Sequence, residues 1–100
     1  MIIVLGAVRI RPGTLESALA ISKKHVARSR TEPGCIAHGV YHDAEDGERL
    51  IFVEKWLDRE ALRAHFQVPE SREFVRELQA YCAAAPAMNV YAADELRLQT

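Results

Sequence analysis

This chain has little that would hold a cofactor. Its two cysteines, Cys35 and Cys82, lie far apart with no Cys-x-x-Cys spacing, so neither a metal knuckle nor a dithiol redox motif is indicated, and both read as small buried hydrophobes. There is no Gly-x-Gly-x-x-Gly turn for a dinucleotide, no nucleophile elbow and no sequence cluster of metal ligands. An excess of one charge is missing too. Thirteen basic and 14 acidic residues leave a net charge of -1 and a pI near 6.4, with no basic block, which argues against nucleic acid or an anionic membrane as partner. The strongly apolar N-terminal run, Ile2 to Val8, is too short to cross a bilayer and lacks the basic flank and cleavage site of a secretory signal. A soluble, cytoplasmic protein is therefore expected.

What is present is a single domain's worth of chain: 100 residues, 49% of them apolar, enough for one modest core over 1–100. Ile2 to Ile10 is β-branched and aliphatic, reads as a strand, and stops at Arg11-Pro12-Gly13. Thr14 is placed to cap a helix from about residue 15 to 31, on which Leu15, Ala18, Leu19, Ser22, Val26 and Ser29 recur at helical spacing. Cys35 to His42 and Arg49 to Leu57 form a hairpin around a polar connection. Asp58 can cap a second helix, which Pro69 should break or bend near Gln67 to Glu70. Met88 to Ala93 is the last strand, and the short side chains of Ala83 to Ala85 before it leave room beside the end of the second helix.

The resulting order is βαββαβ, an α+β, ferredoxin-like arrangement with an antiparallel sheet and two helices on one face. Such a sheet normally alternates apolar and polar residues. Here both faces are apolar: in the first strand Ile2, Val4, Val8 and Ile10 oppose Ile3, Leu5 and Ala7, and in the third Leu50, Phe52 and Trp56 oppose Ile51, Val53 and Leu57. Leaving such side chains in water forgoes about 1.5 to 3 kcal/mol each. For one whole face that is comparable to the stability of a small domain, about 5 to 15 kcal/mol. A second copy, packed sheet to sheet as a two-fold homodimer, is the simplest cover.

The strand ending in Arg-Pro-Gly, the Glu32-Pro33-Gly34-Cys35 segment and above all Glu54-Lys-Trp56-Leu-Asp-Arg-Glu-Ala-Leu-Arg-Ala-His65, followed by a proline break, resemble the antibiotic biosynthesis monooxygenase (ABM) domain family. The likeness runs over roughly residues 2 to 94. It implies a dimeric α+β barrel and oxygen insertion into a quinol or polyphenolic aromatic substrate, with no flavin, haem or metal as cofactor. In such chemistry the protein supplies orientation, a base and a dry pocket. Relatives in this family also include an isomerase of a phosphorylated sugar and haem-degrading enzymes, and a non-catalytic small-molecule-binding dimer is the alternative of a different class.

Within this resemblance Trp56 matches the motif tryptophan and offers a flat wall to an aromatic ligand, or else anchors the end of its strand. Glu54 shares a sheet face with Trp56 and Phe52, as a pocket carboxylate or as an ion-pair partner. His65 matches the motif histidine and is the first candidate base, with His38 second; a structural role is the competing reading for each. Phe66 would help hold the ring, and Asn89 and Tyr41 complete the expected substrate-binding set. His38 and His42 lie about 13 Å apart along a strand, too far to share a metal ion without other ligands. His25, beside Ser22 and Ser29, reads as a partly buried polar edge of the first helix.

Overall fold

The computed structural model describes residues 1–99, in the order β1 (Ile2–Arg9), α1 (Leu15–Ser29), β2 (Cys35–His42), β3 (Arg49–Trp56), α2 (Arg59–Gln67), α3 (Pro69–Gln79) and β4 (Ala87–Ala92). The strands pair antiparallel in the order β2-β3-β1-β4, the ferredoxin-like topology. Among the described residues no helix is long and apolar enough to cross a membrane.

Three helices form rather than two. Pro69 lacks an N–H and disfavours helical backbone at the residue before it, so Val68 turns extended (φ -64, ψ 126) and the expected second helix divides into α2 and α3. Asp58 caps α2 as expected, its Oδ1 accepting the Ala61 N–H at 2.9 Å. Thr14 stands at the N-cap position of α1, its carbonyl accepting the Ala18 N–H at 3.0 Å, but its side chain makes no capping bond: after the tight turn at Gly13 (φ 81) its hydroxyl donates back to the Arg11 carbonyl at 2.8 Å. Gly34 also has a positive φ, 82, and a Cβ there would come within 2.5 Å of the Ala61 side chain. Glycine at this position lets α2 settle against the turn entering β2. The two cysteines are only partly buried, and that burial still pushes both thiols above their ordinary value.

Register decides the two faces. Ile2 lies opposite Trp56, Val4 opposite Glu54 and Val8 opposite Leu50, and Glu54 in turn faces His38 across β2. The side chains of Ile2, Val4, Val8, Leu50, Phe52 and Trp56 point toward the helices and are buried. Their alternates point the other way, where Leu5, Tyr41 and Tyr91 stay 43%, 58% and 49% exposed. The apolar outer face read from the sequence is therefore present and uncovered in the single chain.

Candidate active site

Three histidines from three elements meet under the helices: His25 of α1, His38 of β2 and His65 of α2, all buried. Their ring centroids are 5.3 to 5.5 Å apart, and one nitrogen from each lies within 4.8 Å of the others. Trp56, fully buried, forms the floor. The His65 ring tilts over it at 4.7 Å, and the His38 ring stands edge-on to it at 6.1 Å. From the other side Phe74 of α3 stacks on His25, 4.0 Å away and nearly parallel at 6°.

A hydrogen-bond network orients these rings. Arg28, one turn beyond His25, donates through Nη2 to His25 Nδ1 at 3.0 Å and to Ser71 Oγ at 2.9 Å. Its Nη1 donates to Glu32 Oε2 at 2.6 Å, while Glu32 Oε1 accepts from His65 Nδ1 at 2.8 Å. On the sheet, Trp56 Nε1 donates to Glu54 Oε1 at 2.9 Å. His38 Nε2 lies 3.3 Å from the same oxygen, close enough for charge attraction but off the line of a hydrogen bond, and both its ring nitrogens are buried without a partner.

Burial is the largest influence on both titratable groups at the centre. It pushes His25 down to about 3, helped by the neighbouring His38, His65 and Arg28 charges, with Glu54 opposing. It also pushes Glu54 up, but contact with His38, the Trp56 N–H and the nearby His65 outweigh it and hold that carboxyl below its ordinary value. Since His25 accepts its proton far more readily unfolded (ordinary value 6.5) than folded (about 3), the unfolded chain binds more protons between these pH values. Stability is therefore retained above pH 6.5 and lost as pH falls toward 3. Urea denaturation should show stability falling as pH drops through that window. His25→Phe should flatten the slope.

Beside this cluster, between the sheet and α2–α3, is a cavity of about 320 Å³. Phe52, Phe66, Phe74, Val75, Leu78 and Met88 make its apolar wall, and His25, His65, Glu54, Ser71 and Arg72 its polar end. Pro86, Ala87 and Met88 line it on the β4 side, where Met88 faces the helix side yet remains 56% exposed. The volume falls at the lower end of small-molecule pockets, roughly 300 to 1,000 Å³.

Of the residues expected from the sequence, His65, Glu54 and Phe66 line this cavity. Trp56 and His38 do not: they sit behind His65 and Glu54 as its support. Asn89 and Tyr41 are placed on the opposite, outer face, because Asn89 pairs with Leu5 and Tyr41 with Ile51, whose side chains point away from the helices. His25 is a correction in the other direction. It is a buried member of the cluster rather than a polar edge, and Ser22 and Ser29 beside it turn their hydroxyls to the Ala18 and His25 carbonyls. Phe74, one of the aromatic side chains a pocket could draw on, does line the cavity, whereas nothing in the sequence singles out Arg28 or Ser71 for the site. The α1 stripe Ala18-Ser22-His25-Ser29, three of its four residues small, does mark the closely packed face that carries His25.

The sequence model of the family described as antibiotic biosynthesis monooxygenase matches residues 1–77. A protein from Synechocystis, sll1783, whose function is uncharacterised, is 34% identical over 90 residues; they make up 90% of this chain and 61% of that protein, so the chain spans about three fifths of that relative. Among solved structures, an antibiotic biosynthesis monooxygenase superposes with a TM-score of 0.88 at 25% identity, covering 95% of this chain and 100% of the other. A conserved protein from Methanosarcina mazei superposes with a TM-score of 0.89 at 25% identity, covering 93% and 92%.

Proposed function

Because the chain belongs to the antibiotic biosynthesis monooxygenase family, we propose that it oxidises a small quinol or polyphenol with molecular oxygen, the ring held in the cavity between sheet and helices. The observation that carries this reading is a largely apolar cavity with a carboxylate-anchored histidine at its polar end. Glu32 is paired with Arg28 and is acceptor-only, so the proton of neutral His65 sits on Nδ1 and leaves a lone pair on Nε2. That lone pair takes the hydroxyl proton of the substrate, and the anion is a far better electron donor to oxygen than the neutral phenol. Phe66 and Phe74 confine the ring, and the apolar wall excludes water.

For a hydroquinone the overall balance is quinol plus O2 giving hydroxyquinone plus water. The substrate itself supplies the two electrons that reduce the second oxygen atom, and no external reductant enters. Oxygen uptake with a panel of hydroquinones tests this: one O2 consumed per hydroxyquinone formed is expected. Ligand-dependent thermal stabilisation with no uptake for any member would instead make the protein a binding module.

The same reading includes a homodimer closed through the outer sheet face, where Leu5, Tyr41 and Tyr91 are exposed. Light scattering at micromolar concentration should give twice the chain mass, and Leu5→Glu should shift the population toward monomer. A wild-type protein that remains monomeric would remove the dimer from the proposal.

A further inference from the structure

The three-histidine cluster has the composition of a metal site, but its hydrogen bonds are those of something else. A metal ion needs a lone pair from each imidazole. Arg28 is donor-only and lies 3.0 Å from His25 Nδ1, so that nitrogen must accept, and the proton of neutral His25 sits on Nε2. Glu32 does the reverse to His65, as described above: it accepts from Nδ1 and leaves the lone pair on Nε2. Both assignments trace to one side chain, since Arg28 bonds His25 directly and fixes Glu32 as an ionised acceptor at 2.6 Å.

We propose that Arg28 imposes opposite tautomers on the two histidines facing the cavity, making His25 a donor and His65 an acceptor at Nε2, so that together they bind one phenolic oxygen and hold it as its anion. This rests on the reading of the cavity as a quinol site. His25 and His65 both line it, with ring nitrogens within 4.8 Å of each other. An oxygen between two nitrogens no farther apart than that can reach both at about 2.8 Å, an ordinary hydrogen-bond distance. When the substrate O–H breaks, its proton forms the Nε2–H bond of His65, and the positive charge that results is next to Glu32. The phenolate oxygen then accepts from two N–H groups. Burial keeps His25 neutral throughout, so it stabilises the anion without repelling the protonated His65. Ser71 Oγ accepts from the same Arg28 Nη2 that donates to His25, which fixes that nitrogen in place, and the parallel Phe74 ring fixes the plane of His25. In this scheme His25 is a catalytic residue and Arg28 a positioning residue.

The test needs no turnover, so its failure is separate from a failure of the oxidation reading. Nitrogen-15 spectra of the histidine rings report tautomers directly. The wild type should show His25 protonated at Nε2 and His65 at Nδ1, and Arg28→Met should release His25 from its single tautomer. Para-nitrophenol, whose anion absorbs apart from its neutral form, serves as the probe. The wild type should bind the anion in preference to the phenol, and His25→Phe, which keeps the stack on Phe74, should weaken anion binding by about tenfold to a hundredfold, the worth of one charge-assisted hydrogen bond. These results support the proposal even if no hydroquinone is oxidised. An Nδ1–H tautomer at His25 in the wild type, absence of nitrophenolate binding, equal anion binding by His25→Phe, or stoichiometric zinc or cobalt(II) binding that His25→Phe abolishes would each overturn it.

Discussion

His65→Ala should lower hydroquinone-dependent oxygen uptake by about 100- to 10,000-fold, the range over which a positioned general base contributes. The effect should fall on kcat more than on KM, because Phe52, Phe66 and Phe74 supply most of the contact with the ring and the His65 lone pair acts on the proton that leaves. Folding is the competing explanation, since His65 is only 3% exposed and packs on Trp56 at 4.7 Å. Glu32→Gln separates the two. It keeps the shape of the Glu32 side chain but removes the charge that pins the His65 Nδ1 proton, so it should reduce kcat while far-ultraviolet dichroism and the denaturation midpoint change little. Oxygen uptake in His65→Ala within threefold of the wild type would remove His65 as the base. His38 is the internal control. It was the second candidate base, but it lies behind the cavity wall beside Glu54, and its replacement should disturb stability more than turnover.

The largest stability effect is expected at Trp56. Replacing this fully buried side chain with alanine should cost about 3 to 5 kcal/mol, the usual range for emptying a large aromatic site. The cavity created would lie beneath Ile2, Val4 and Leu62, and it would also remove the N–H that donates to Glu54 at 2.9 Å. Glu54 would be left as a buried carboxylate with His38 beside it, an added penalty of about 1 to 3 kcal/mol. Against a total of about 5 to 15 kcal/mol for a small domain, this leaves a marginal fold. Trp56→Phe divides the two costs, restoring most of the packing but not the hydrogen bond. Because Trp56 is the sequence's one tryptophan, unfolding should be followed by far-ultraviolet dichroism rather than by indole fluorescence. A loss below about 1 kcal/mol for Trp56→Ala would contradict the packing described here.

Much of the fold is written in local pattern. Residues 35–42 and 49–56 read as a hairpin because β-branched and aromatic runs flank a polar turn, and the helix break at Val68 follows from Pro69 without any tertiary contact. The outer apolar face was legible for the same reason: alternation along one strand is a property of that strand alone. Alternation also carried a warning about the site. His38 and Tyr41 are three positions apart on β2 and so point to opposite faces, and a single pocket could not have used both. Asn89 is different. Its face follows from the pairing of β4 with β1, Leu5 opposite Asn89, which no local pattern in residues 87–92 specifies.

The sequence by itself determined which segments are strands and helices, where they stop and that both sheet faces are apolar, because backbone sterics and side-chain periodicity act between near neighbours. Its motif from Glu54 to His65 also marked two residues that reach the cavity. Only the tertiary structure decided that His25, His38 and His65, which lie 13 and 27 residues apart in the chain, would share one site, and that Arg28 would link two of them. The physical reason is that tautomer, burial and charge at an imidazole depend on what lies within a few ångströms in space, and α1, β2 and α2 come within that distance only after packing on a common sheet.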